Sequence, residues 1–163
     1  MQYPELQGQA VEVRFVAAPR DRRGPVHGGS FLRERRMTID AALKIDAAGF
    51  ARVITHEIFH FAWVRLGNPV RRSWEDLLER EAASGEAGEL GWSAEWRKTR
   101  LLARDRALRT RRWREYCCES FCDTAAWLFA GVRRHPEFTL GARGRRRRRQ
   151  WFVDSGVARR ISI

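Results

Sequence analysis

The segment His56-Glu57-Ile58-Phe59-His60 sets two of the chain's four histidines four residues apart, with a glutamate between them. On an α-helix, positions i and i+4 lie on one face, one turn apart. His56 and His60 can therefore aim two imidazole nitrogens at one point, which suits tetrahedral zinc. Glu57 is rotated about 100° from His56. It would stand beside such a metal rather than on it, where a carboxylate can take a proton from activated water. Val53, Ile54, Ile58, Phe59, Phe61, Ala62, Trp63 and Val64 surround the triplet with apolar groups. Burial of three ionisable side chains in that setting is costly unless a metal or other partners compensate.

Two histidines leave a zinc site incomplete, because a third protein ligand is expected with water in the fourth position. The candidates are His27, His135, the cysteines Cys117, Cys118 and Cys122, and the carboxylates. The metzincin pattern needs a glycine and a histidine soon after His60, and FAWVRLGNPVRR contains no histidine. The segment YCCESFCDTAAW offers Glu119, with Asp123 four residues on and so on the same helical face. Glu119 would bind the metal. Asp123 would accept the free ring N–H of a ligand histidine and fix its tautomer. Cys118 and Cys122 share this spacing and flank Glu119; they read as small buried hydrophobes, with soft-metal binding as the alternative.

HEIFH followed by ESFCD resembles the gluzincin metallopeptidases, which pair HExxH with a downstream ExxxD on a second helix. The thermolysin group and the membrane-bound heat-shock and prenyl-protein proteases carry that pattern. The short form seen here also resembles the regulatory proteases of the IrrE/ImmA type. The resemblance covers these two helices. It implies a zinc-dependent metallopeptidase with His56, His60 and Glu119 as zinc ligands, Glu57 as general base and Asp123 behind a ligand histidine. It further implies that the strand before the active helix, Met37-Thr38-Ile39-Asp40, is the edge at which a peptide substrate adds as a further strand. Tyr116 and His135 are the candidates for stabilising the oxyanion.

The elements that must position these residues read as α+β, a small N-terminal sheet followed mostly by helices, in a single domain over 1–163 that the resemblance implies is zincin-like. VEVRFV alternates like a half-buried strand. APRDRRGPVHGGS reads as a loop, and FLRERRMTID as a second strand with Met37 and Ile39 on one face. Asp46 can cap a helix over 47–66 that Gly67, Asn68 and Pro69 stop. Ser73 to Asp76 resembles a capping box for a short helix. Ser93 opens a charged helix, and the helix carrying Glu119 follows as its continuation or after a break near Arg112, closed by Gly131. Residues 141–150 read as an Arg-rich loop and 151–163 as a C-terminal tail.

The net charge of +12 invites a nucleic-acid reading, with Arg145, Arg146, Arg147, Arg148 and Arg149 as phosphate contacts. Only Lys44 and Lys98 are lysines, so arginine is the default cation of this chain, and a solvated basic loop is the favoured reading of the run over phosphate contacts. The alternative to a peptidase is thus a nucleic-acid-associated or regulatory protein with a structural or vestigial zinc site. No apolar run approaches the ~20 residues of a membrane helix. The opening MQYPELQGQAVEVRF has no basic-then-apolar leader pattern. Three clustered cysteines make a poor disulfide framework, so a cytoplasmic location is expected.

Overall fold

The computed structural model describes residues 1–22 and 24–163; Arg23, in the expected loop, lies outside them. Among the described residues, seven short strands and six α-helices give an α+β architecture. The strands are β1 (Glu5–Gln7), β2 (Glu12–Val16), β3 (Arg20–Asp21), β4 (Gly24–Pro25), β5 (Gly28–Phe31), β6 (Arg36–Asp40) and β7 (Arg160–Ser162). The helices are α1 (Ala47–Arg65), α2 (Asn68–Ala83), α3 (Trp92–Lys98), α4 (Ala103–Ala107), α5 (Arg111–Phe129) and α6 (Ala142–Asp154).

The main sheet has the order β2-β6-β5, with β2 parallel and β5 antiparallel to β6. Met37 and Ile39 alternate with polar neighbours along β6 and are fully buried, as their period of two requires. β6 is nevertheless the central strand. Its backbone is paired on both sides, so Met37, Thr38, Ile39 and Asp40 cannot form the edge at which a peptide would add. The edge is β5, whose first three residues fall in the segment read as a loop. β2 is the other edge, and all five of its residues are exposed rather than half-buried.

Asp40 and Asp46 then turn the chain into α1. The Asp46 Oδ1 accepts from the Gly49 N–H at 3.0 Å, and α1 runs to Arg65 as its cap and apolar periodicity predict. The following Gly67-Asn68-Pro69 starts α2 rather than merely ending α1. Pro69 sits in the first turn, where its missing N–H is no loss. Ser73 lies inside α2 and donates to the Val70 carbonyl at 2.8 Å, so it is no cap. The charged helix expected from Ser93 is divided into α3, α4 and α5. Arg109, at φ +45°, turns the chain between the last two.

α1 packs on α5, and the interface is largely aromatic. Phe59 meets Phe121 and Phe129 with ring centroids 5.7 and 5.5 Å apart, and Phe152 of α6 stacks on Phe121 at 5.2 Å. Phe152 is there because residues 141–150 are helix, not loop. One face of the arginine run is drawn inward. Arg148 is fully buried and pairs with Glu81 at 2.8 Å and Glu89 at 2.6 Å. Arg145 donates to the Leu140 and Phe138 carbonyls. Arg148 is therefore out of reach of any phosphate, while Arg146 and Arg149 remain exposed. The tail also docks: Val157, Ile161 and Ile163 are buried, and β7 pairs in parallel with β1, Leu6 opposite Ile161.

Removal of Arg148 would leave two carboxylates in the core without their cation. Arg148→Met is expected to destabilise the fold by about 3–5 kcal/mol, read from urea unfolding. Burial pushes the Glu89 carboxyl up, but Arg148 and Lys98 outweigh it and hold the pKa below the ordinary value. A lowered carboxylate pKa gives stability that is present above the unfolded value and lost as pH falls through the folded one. Urea midpoints should therefore decline on acidification below the ordinary carboxylate range, and decline less in Glu89→Gln.

Candidate metal centre

α1, α5, β5 and the start of α3 enclose a cleft of about 540 Å³ whose walls include Gly28, Ser30, His56, Glu57, His60, Arg97, Glu119 and Asp123. The two helices were each legible from spacing, and their packing brings the residues on them to one place. His56 Nε2 and His60 Nε2 are 3.1 Å apart. Glu119 Oε2 lies 3.3 Å from the first and 3.9 Å from the second. Ligand atoms at ordinary zinc distances on a tetrahedron are about 3.4 Å from one another. The triangle thus has the size of one face of a four-coordinate site.

A second donor set overlaps it. His56, His60 and Cys122 each offer a ligand atom, all within 4.8 Å of one another, so this corner of α1 and α5 can hold a metal ion. Burial first, and hydrogen bonding with Cys118 next, push the Cys122 thiol up, which disfavours the thiolate. Glu119 is held well below the usual carboxylate range: burial opposes this, but the His56 hydrogen bond, the charges of both histidines and Arg97 outweigh it.

Each of the side chains His56, Glu119 and His60 is held from behind. His56 Nδ1 lies 2.7 Å from Asp123 Oδ1, which leaves Nε2 directed at the centre. Asp123 Oδ2 in turn accepts from the Ala94 N–H at 3.0 Å, a donor free in the first turn of α3. Glu119 Oε1 is gripped by Arg97 at 2.8 Å, so Oε2 is the oxygen facing the histidines. His60 Nδ1 lies 3.4 Å from Cys118 Sγ. Burial pulls the His56 imidazole down, but Asp123 and Glu119 raise it above its ordinary value. His60 is likewise pulled down by burial and raised overall, to about 9, by Cys118 and Glu119. Hydrogen bonding with Cys122 and the charge of His60 bring Cys118 down to about 6 against the effect of burial.

Glu57 stands on the same wall without joining the triangle. The Ser30 hydroxyl is 2.7 Å from Glu57 Oε2 and 2.9 Å from the Glu57 carbonyl oxygen, so its proton serves one of them at a time. Gly28 permits this approach of β5 to α1: a Cβ there would lie 2.8 Å from Val53 and 2.9 Å from Glu57 Oε1. Gly91 is needed in the same way, since a Cβ would collide with the Asp123 carboxylate.

Neither oxyanion candidate reaches the cleft. The Tyr116 hydroxyl is buried and donates to Glu89 Oε1 at 2.6 Å, part of the Arg148 cluster. His135 packs against Phe138 outside the cleft wall. His27 lines the mouth, exposed, with Nδ1 3.5 Å from Asp40. Sequence reasoning missed Ser30, Arg97 and the two glycines. Ser30 and Gly28 sit in a turn-rich segment, and Arg97 is one arginine among many, so composition concealed them.

Comparisons of the chain with family models, curated proteins and solved structures return no match.

Asp123→Asn is expected to weaken divalent-metal binding by about 10- to 100-fold, measured by competition with a chromophoric chelator. Gly91→Ala should weaken it in the same direction by displacing the carboxylate, with every ligand intact.

Proposed function

We propose that the chain is a zinc-dependent metallopeptidase with His56, His60 and Glu119 as its metal ligands. The observation that carries this reading is the triangle of 3.1, 3.3 and 3.9 Å among their donor atoms, with Glu57 on the wall of the same cleft. Two imidazoles, which release any second proton when metal binds, and one carboxylate are a donor set for catalytic zinc, which keeps one position open. A zinc ion held there would supply Lewis-acid polarisation and acidify water at neutral pH.

The chain's own residues account for the rest. Asp123 holds His56 in the tautomer that presents Nε2. Arg97 turns one oxygen of Glu119 toward the histidines. Glu57 accepts the proton of the attacking water at Oε1, the oxygen that Ser30 leaves free, and hands it to the departing amine. β5 supports a peptide as a substrate, because its outer edge lies along the cleft that holds Glu57. The buried Arg148 counts against the arginine run as a continuous nucleic-acid surface.

Elemental analysis of the purified protein should find one zinc per chain, sharply reduced in Glu119→Ala. Retention in that variant would move the third ligand to Cys122. Absence of zinc from the wild type after reconstitution would overturn the reading. In a screen of quenched fluorescent peptides, Glu57→Gln is expected to keep its zinc and lose about 100- to 10,000-fold in kcat.

A further inference from the structure

Arg97 belongs to two walls. One is the cleft of the metal centre; the other is a second cavity of about 380 Å³, lined also by Trp96, Arg100, Arg112 and Glu115. The two cavities meet at a single guanidinium. In the second, three guanidiniums accompany one carboxylate, and that carboxylate is already paired, Glu115 with Arg111 at 2.7 Å. Arg100 lies over the Trp96 ring at 4.1 Å from its centroid, and its Nη1 donates to the Trp96 carbonyl at 2.8 Å. A long side chain is thereby laid on a flat aromatic surface. Arg97 donates to the Ser93 carbonyl and to Glu119, yet its buried Nε has no acceptor among the described residues. A buried donor without an acceptor is costly, so a ligand that supplies one is favoured.

We propose that this Arg–Trp cavity is a subsite for an acidic side chain of the substrate, an aspartate or glutamate beside the bond cleaved at the metal centre. The assignment rests on the peptidase reading and adds the substrate class to it. A carboxylate entering past Arg97 meets guanidinium donors, the groups that pair with it best, beside the indole that Arg100 covers. A lysine at the same place meets like charge and leaves the buried donor unpaired.

The test uses the zinc-loaded full chain and matched peptides carrying Glu, Gln or Lys at each position around the scissile bond. Affinity is read by fluorescence anisotropy on Glu57→Gln, and kcat/KM on the wild type. At one position Glu should be preferred over Gln by about tenfold, the size expected of two partly exposed charge pairs. The preference should shrink with added salt. The double variant Arg100→Ala, Arg112→Ala alters two exposed side chains, and its Glu-to-Gln ratio should fall toward one. Arg100→Glu with Arg112→Glu should shift preference toward Lys. Equal cleavage of the three peptides, or a ratio unchanged in the double variant, overturns the subsite and leaves the peptidase reading standing. Acid-selective binding with no cleavage of any peptide overturns the peptidase reading, and the substrate assignment with it.

Discussion

Everything at the centre of this molecule hangs on the Asp123 carboxylate. One oxygen takes the His56 ring at 2.7 Å and the other takes the Ala94 N–H at 3.0 Å. A single side chain of α5 thus ties α1 and α3 to one point. Because the group is buried, each of these bonds replaces water it has lost, and neither helix can slide without leaving an ion unsatisfied. The aromatic packing of Phe59, Phe121 and Phe129 sets how closely α1 and α5 approach, but it is tolerant of rotation. The carboxylate supplies the direction that packing lacks.

A second buried ionic cluster does comparable work away from the cleft. Arg148 joins α6 to Glu81 of α2 and to Glu89, whose carboxylate also accepts from Tyr116 of α5. α5 is therefore clamped from two sides by charges of opposite arrangement. Toward α1 it presents carboxylates to imidazoles, and toward α6 a phenol and the Ser120 hydroxyl, which share Glu89 with a guanidinium. Its cysteines lie between, on the turn that also bears Glu119.

How much of this could be read beforehand depends on the distance over which each cause acts. The α1 cap at Asp46, the burial of Met37 and Ile39, and the turn-by-turn placement of His56, His60, Glu119 and Asp123 follow from local periodicity, so they were legible. The pairing of β6 on both sides depends on GGS joining the sheet, a tertiary choice that overrides the low strand propensity of Gly28 and Gly29. The helix over the arginine run was hidden for a similar reason. Arg148 enters the core only because Glu81 and Glu89, far away in the chain, are there to receive it. Tyr116 was placed on the correct helix but on the wrong face of the argument, since its hydroxyl answers to Glu89 rather than to the cleft.

The parallel pairing of β1 with β7 bears on the order in which the molecule is made. Every residue lining the cleft lies between Asp21 and Glu137, whereas Glu5 waits for Arg160 as its partner. During synthesis from the N-terminus, the helices that form the centre leave the ribosome before the strand that fastens β1. The first strand stays unzipped until the last is released, and closing so long a loop is slow compared with the docking of α1 on α5. The clasp is a late step in maturation, laid over a centre whose parts have already met.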